Sequence, residues 1–255
     1  MVFSQLAFAD ATVVYEQSSG TQKSANTMQI KDGKIRFSPP GNGPNNDYSL
    51  YDSKNNELTH VDAVNKQYIT MDENTIAQQA NKAKQQMDKM RQEMMSRMKD
   101  MPPEQKKQME QMMNNHLSQV EAKKNPQKLE QKKTSRSETI SGIPCTVHET
   151  YFKGMKYSEL CMAEADKMGL SSEDAQALMS MQQFMKRLQK VAQDITGSSM
   201  PTADIQGIPL HTTLFSPDGA IQMETRLASI VTDAVNSEAI SIPVDFSAVP
   251  MPGLK

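Results

Sequence analysis

Residues 28–37 read MQIKDGKIRF, two short alternating runs joined by Asp32-Gly33. Asp-Gly is the dipeptide of a two-residue hairpin turn, because both central residues need positive φ and the turn's twist matches that of the flanking strands. Closing the chain there pairs Ile30 with Ile35 and Met28 with Phe37, and the two-residue period of a strand places all four on one face. One side of a sheet is therefore buried. Working outward, Ala11 to Gln17 alternates as a strand, and Ser38 to Asn46 (SPPGNGPNN) is a loop by composition. Tyr48 to Asp52, Glu57 to Val61 and Lys66 to Met71 then read as short strands linked by Asn, Lys and Asp turns, an antiparallel meander.

Helical periodicity follows. Ile76, Ala80, Ala83, Met87, Met90, Met94, Met98 and Met101 recur at three- and four-residue steps, one stripe along a helix of roughly 40 Å. Pro102-Pro103 stops it. Glu104 to Lys124 forms a second helix with Met109, Met113, His116, Leu117 and Val120 inward, so the two make a helical hairpin inserted over 74–125. Gln86 to Asn114 alone holds nine of the 21 methionines.

Beyond Asn125-Pro126 a polar strand runs from about Lys128 to Ser141, then a cysteine hairpin, Cys145 to Tyr151 and Met155 to Met162. A three-residue loop Phe152-Lys153-Gly154 pairs Tyr151 with Met155, and stepping outward brings Cys145 opposite Cys161. A disulfide there stabilises the fold by about 3 kcal/mol in the chain-entropy model and implies an oxidising compartment; two buried free thiols are the alternative. A lone cysteine pair lacks the four ligands of a structural zinc site. Ser171 with Asp174 resembles a helix-start box, and Leu178, Met181, Met185, Leu188, Ala192 and Ile195 mark a further amphipathic helix ending at Gly197. A last hairpin, Ile208 to Phe215 and Ala220 to Val231, turns at Ser216-Pro217-Asp218-Gly219, and Ile240 to Phe246 is a short strand before a proline-rich tail. Gly142-Ile143-Pro144-Cys145 and Gly207-Ile208-Pro209-Leu210 each open a strand, turn and strand, as a duplicated unit or as two hairpins with the same opening chemistry.

With 255 residues, 37% apolar and no Trp, the core is built from aliphatic residues, Met and few rings. We take residues 10–255 as one domain and Met1 to Ala9 (MVFSQLAFA) as the remnant of a secretory signal, since Ala7-Phe8-Ala9 fits a signal-peptidase site. No run approaches the roughly 20 apolar residues of a membrane span. The net charge of -2 divides unevenly: residues 74–133 hold 13 Lys and Arg against 7 Asp and Glu, a segment of +6 on a remainder of -8. Such a basic arm suits an anionic membrane surface or polyanion, or equally an acidic neighbour within the fold.

No catalytic constellation is present. His148-Glu149 begins an HExxH-like run, but the fifth residue is Phe152 and the stretch is a strand, where the ligand spacing fails. His60, His148 and His211 lie on separate strands with no paired nucleophile, and Gly41-Asn42-Gly43 lacks the helix and third glycine of a nucleotide loop. The expectation is a protein that is not an enzyme, carries no cofactor and does not bind nucleic acid, for want of aromatic platforms and net basicity.

Met101-Pro102-Pro103-Glu104-Gln105 with Met109 and Met112-Met113, the Gly142-Ile143-Pro144-Cys145 to Cys161 hairpin, and Ile242-Pro243-Val244-Asp245-Phe246 together resemble a secreted, methionine-rich bacterial family of unknown function related to the LolA/LppX-like lipoprotein carriers. The resemblance implies an α+β fold, a curved antiparallel β-sheet in a half-barrel around helices, with an apolar concave face that in the carriers holds acyl chains. It implies a periplasmic or secreted location and no established activity. The carriers lack so long a Met-rich hairpin.

The methionine stripe has three readings. Met is an adaptable core filler, and helical spacing is first a packing signal. Flexible thioethers also make a reshapable apolar surface for a lipid, lipopeptide or envelope-protein segment; the contact residues are then Met87, Met90, Met94, Met98, Met109, Met113, Met181 and Met185. Thioethers suit Cu(I) as well, with Met90, Met94, Met98 and His116 as ligands, although a stripe along a rod does not converge on one point. The surface for a lipid or protein ligand is the expected function, soft-metal capture the alternative.

Overall fold

The computed structural model describes residues 10–38, 47–99, 102, 105, 129–196 and 205–251, with the side chains at 87, 91, 97–99 and 192–196 excepted. Among the described residues twelve strands form one curved, mostly antiparallel sheet. Six come first: β1 (Ala11–Ser19), β2 (Gln22–Lys31), β3 (Lys34–Phe37), β4 (Tyr48–Asp52), β5 (Glu57–Asp62) and β6 (Gln67–Met71). Helix α1 (Glu73–Lys99) follows, then β7 (Glu130–Ile140), β8 (Ile143–Phe152), β9 (Met155–Ala163), α2 (Ser172–Thr196), β10 (Ile208–Phe215), β11 (Ile221–Val231) and the two-residue β12 (Ser247–Ala248). The spatial order is β12-β6-β5-β4-β3-β2-β1-β11-β10-β9-β8-β7, so β1 is the seam between an N-terminal meander and a C-terminal one.

The Asp32-Gly33 turn forms as its dipeptide dictates, with φ of 51° and 76°, and pairs Ile30 with Ile35 and Met28 with Phe37. That register extends into a row across the meander, Ala11, Ile30, Ile35, Tyr51, Leu58 and Met71, each opposite the next. Ile30, Ile35 and Tyr51 have no exposed surface. Helix α2 fills the concave side above them: the Phe184 ring lies 5.6 Å from that of Tyr51, and the Tyr51 hydroxyl is 2.6 Å from Ser180 Oγ. Burying side chains of this size is worth roughly 1.5–3 kcal/mol each. Ser171 caps α2, accepting the Asp174 amide at 3.0 Å, and Asp174 Oδ1 accepts the Gly33 amide at 3.4 Å, tying the helix start to the hairpin turn. The inward position of the fourth turn belongs to Phe184, 1% exposed, and not to Met185, which is 45% exposed.

The other face of the meander is covered too. Tyr48 and Val61, opposite each other, are buried beneath the C-terminal segment: Tyr48 donates to the Ser241 carbonyl and Arg36 to that of Ala239, the guanidinium lying 3.9 Å from the Tyr48 ring centroid. The strand expected over Ile240 to Phe246 is instead a 3-10 turn (Ser237–Ile240) and a turn in which the Phe246 amide donates to Pro243. Pro243 has no N–H to give a ladder, so pairing starts only at Ser247, parallel to β6.

In the C-terminal half the strands curl until the start of the β7–β8 turn meets β11, where Ser141 Oγ donates to the carbonyls of Leu227 and Ala228. The Cys145–Cys161 disulfide is present, with Cα atoms 5.3 Å apart. Its register differs from the sequence expectation. Lys153 and Gly154, with φ of 52° and 78°, form a two-residue turn that pairs Phe152 with Met155, and a bulge at Thr150/Tyr151 then sets Cys161 opposite Val147. The bond therefore joins diagonal neighbours on one face, still within reach of two Cβ–Sγ arms.

Candidate functional site

Helix α1 is built almost wholly from Gln, Lys, Ala, Met and other good helix formers. Asp72 caps it: its Oδ1 accepts the Thr75 amide at 2.7 Å while Thr75 Oγ1 accepts the Asp72 amide at 2.8 Å, and the Thr75 bonds hold the Asp72 carboxyl below its ordinary value. The first turns are anchored. Ile76 is buried in the core, and Glu73 Oε1 lies 2.7 Å from Arg187 Nε of α2. From Lys84 onward every described side chain of α1 is exposed. Met90 is 65% exposed, Met94 38% and Met95 49%. Together they form an exposed rib along the outer half of α1.

Met87 and Met98 belong to the same helix, but their side chains are outside the described set. Met109, Met113 and His116 lie outside the described residues, as does the second helix expected over 104–124 apart from residue 105. On α2, Met181 rests partly buried against the core and Met185 faces outward. The eight expected contact residues thus separate: Met90, Met94 and Met185 are exposed, and Met181 is packing. Met95 and Met179, 38% exposed, were absent from the expected face and join the exposed sulfurs.

Over the meander the concave face is occupied by α2. A groove of about 380 Å³ lies on the opposite face instead, between Lys34, Leu50, Glu57 and Tyr68 of the sheet and Ile240 and Ile242 of the tail, of mixed polarity.

A polar network inside the curl of β7–β11 was not apparent from sequence. Glu149 and Glu159 stand directly opposite each other on β8 and β9, a repulsive pairing on its own. Two irregular residues in β7 let Arg136 turn over them, its Nη2 at 3.2 Å from Glu149 Oε1 and 2.8 Å from Glu159 Oε2. Lys156 Nζ reaches Glu149 at 2.9 Å and also bonds Glu159, and Tyr151 donates to Glu149 at 2.7 Å. The bonds from Tyr151 and Lys156 hold the Glu149 carboxyl below its ordinary value. Burial pushes Glu159 up, but the Arg136 and Lys156 bonds outweigh it and leave it lowered as well. Nearby, His211 on β10 bridges Glu224 of β11 at 2.7 Å and Glu138 of β7 at 4.0 Å. The only sequence signal was the matched spacing of Glu149 and Glu159 about the turn. Arg136 and Lys156 offset the carboxylates of Glu149 and Glu159, and the His211 contacts tie β10 to β11 and β7. Elsewhere, burial and Lys133 lower the His148 imidazole, and His60 Nδ1 sits 3.5 Å from Ser49 Oγ. Among the described residues no group of three His, Cys, Asp or Glu is placed to hold a metal ion, and no helix is long and apolar enough to cross a membrane.

Neither a family model nor a curated protein matches the sequence. Solved structures align with the chain at low identity. An uncharacterised conserved protein of Thermus thermophilus aligns over 96% of this chain and 92% of its own at 6% identity, TM-score 0.43. PNGF-II aligns over 95% and 31% at 11% identity, TM-score 0.42, and the MucA/MucB complex of Pseudomonas aeruginosa over 94% and 58% at 8% identity, TM-score 0.37. This chain thus spans about a third of the PNGF-II chain and under two thirds of that in the MucA/MucB complex.

Proposed function

We propose that the protein is a non-catalytic binding protein of the bacterial envelope, presenting the methionine rib of α1 to a lipid, a lipopeptide or an apolar segment of an envelope protein. The observation that carries this reading is a helix anchored at one end by Ile76 and Glu73, whose outer half leaves Met90, Met94 and Met95 in water. Plain packing would bury them. Exposed apolar side chains at helical spacing on a basic, otherwise polar rod favour a partner that covers them. The Cys145–Cys161 bond supports an oxidising compartment, in keeping with the family resemblance of the sequence.

Native mass spectrometry of protein purified from its own periplasm tests the reading. A co-purifying lipid or polypeptide is expected, lost in Met90→Ser with Met94→Ser and kept when Met90, Met94 and Met98 are replaced by Leu. A Ser variant that retains the ligand contradicts it. Soft-metal capture is the second reading, favoured by two free thioethers four residues apart on one helix face. Bound copper that the Leu replacements abolish would establish it in place of the first.

A further inference from the structure

A second surface lies at the other end of the sheet. The β8–β9 and β10–β11 turns stand side by side because β9 and β10 are neighbours, and they face away from the end where α1 and α2 begin. At their tips Phe152 pairs with Met155 and Phe215 with Ile221. Met155 is 45% exposed and Ile221 60%. Between the tips runs a groove of about 370 Å³ lined by Met155, Lys156, Phe215 and Pro217.

Lysines stand over the rings. Lys132 Nζ is 4.6 Å from the Tyr151 ring centroid, Lys153 Nζ 5.5 Å from that of Phe152, and Lys156 Nζ 5.2 Å from that of Phe215. Lys156 is neutralised by Glu149 and Glu159; Lys132 stands across the strands from Glu149 with its ammonium over the Tyr151 ring, and Lys153 reaches over the Phe152 ring at the turn. On the acidic side, Asp218 is bound within its own turn by Ser216 Oγ and the Ala220 amide, and Glu130 lies opposite Tyr151 at the start of β7. Exposed apolar tips with ammonium groups standing over their rings complement a surface that is anionic outside and apolar beneath. An anionic bilayer leaflet has that order; headgroup phosphates meet cations while rings and aliphatic tips settle at the acyl boundary.

We propose that the paired tips of β8–β9 and β10–β11 are a docking surface for an anionic lipid bilayer, with Met155, Phe215 and Ile221 entering the interface and Lys132 and Lys153 meeting headgroup phosphates. The contact is separate from the rib of α1, so either can fail without the other.

Flotation of the full chain with vesicles of phosphatidylcholine and phosphatidylglycerol, against vesicles of phosphatidylcholine alone, is the test. Binding to the mixed vesicles is expected, falling roughly 30-fold in Lys132→Gln with Lys153→Gln, as the loss of two interfacial lysines predicts, and falling also in Met155→Ser with Ile221→Ser. All four side chains lie on the surface, so an unchanged melting temperature certifies the fold. The chain has no Trp, so Phe215→Trp supplies a single reporter whose emission moves to the blue on the mixed vesicles. No binding to them, equal binding to neutral vesicles, or binding lost in Met90→Ser with Met94→Ser but kept in both tip variants overturns the proposal.

Discussion

Single positions carry constraints that only the folded chain makes visible. Gly207 has φ of 110° and lies so close to β9 that a Cβ would come within 2.6 Å of the Ala163 carbonyl oxygen. Gly207→Ala is therefore expected to cost about 1–3 kcal/mol, read as a lower melting temperature; a melting temperature unchanged by the substitution contradicts the geometry. Glu149 and Glu159 make the other residue-scale prediction. Their folded-state pKa values lie below the ordinary carboxylate value, so their contribution is complete above about pH 4.3–4.5 and is lost as pH falls through the depressed values. Arg136→Gln removes one of the two cations holding those pKa values down, so it is expected to lower the melting temperature at neutral pH and to lose less on acidification below about pH 4.3–4.5, its curve converging on the wild type's at low pH. Superimposable pH profiles contradict that assignment.

At the scale of elements, the helix periodicity of α2 was readable but its phase was not. Met185 and Phe184 are adjacent, and either satisfies a three- or four-residue step from Met181; the Tyr51 ring selects Phe184. Phe184→Ala is expected to cost about 3–5 kcal/mol and Met185→Ala under about 0.5, by denaturant unfolding. Comparable losses at both sites would return Met185 to the core. The cysteine hairpin has a similar history. Strand alternation correctly placed both sulfurs on one face, but the Lys153-Gly154 turn is one residue shorter than expected and the bulge at Thr150/Tyr151 shifts the register without changing faces. Cys145→Ser with Cys161→Ser is expected to lower stability by about 3 kcal/mol, and no loss in non-reducing conditions contradicts the bond. Local chemistry announced Asp32-Gly33 in full, because a two-residue turn fixes its own pairing. The tail was illegible for the opposite reason: its cover over Tyr48 and its parallel pairing with β6 link residues far apart in sequence.

Over the whole molecule, the two halves of the sheet bury themselves differently. The meander is closed on its concave side by α2 and on the other by the C-terminal segment, while the β7–β11 half curls on itself and locks with charges. Sequence patterning suggested a one-sided sheet because Tyr48 and Val61 sit among polar neighbours, and nothing local says that a segment near the C-terminus will cover them. With both faces of the meander occupied, apolar surface available to a partner is displaced to its margins, the outer half of α1 and the hairpin tips. Those thioethers report on their own surroundings through their reactivity, since peroxide converts accessible Met to the sulfoxide far faster than buried Met. Mass-spectrometric mapping of peroxide oxidation in ligand-free protein is the most direct test of the account. It predicts rapid oxidation at Met90, Met94 and Met95 and slow oxidation at Met162 and Met168, which are 9% and 3% exposed; rates at Met90 and Met94 as slow as at Met168 would contradict it.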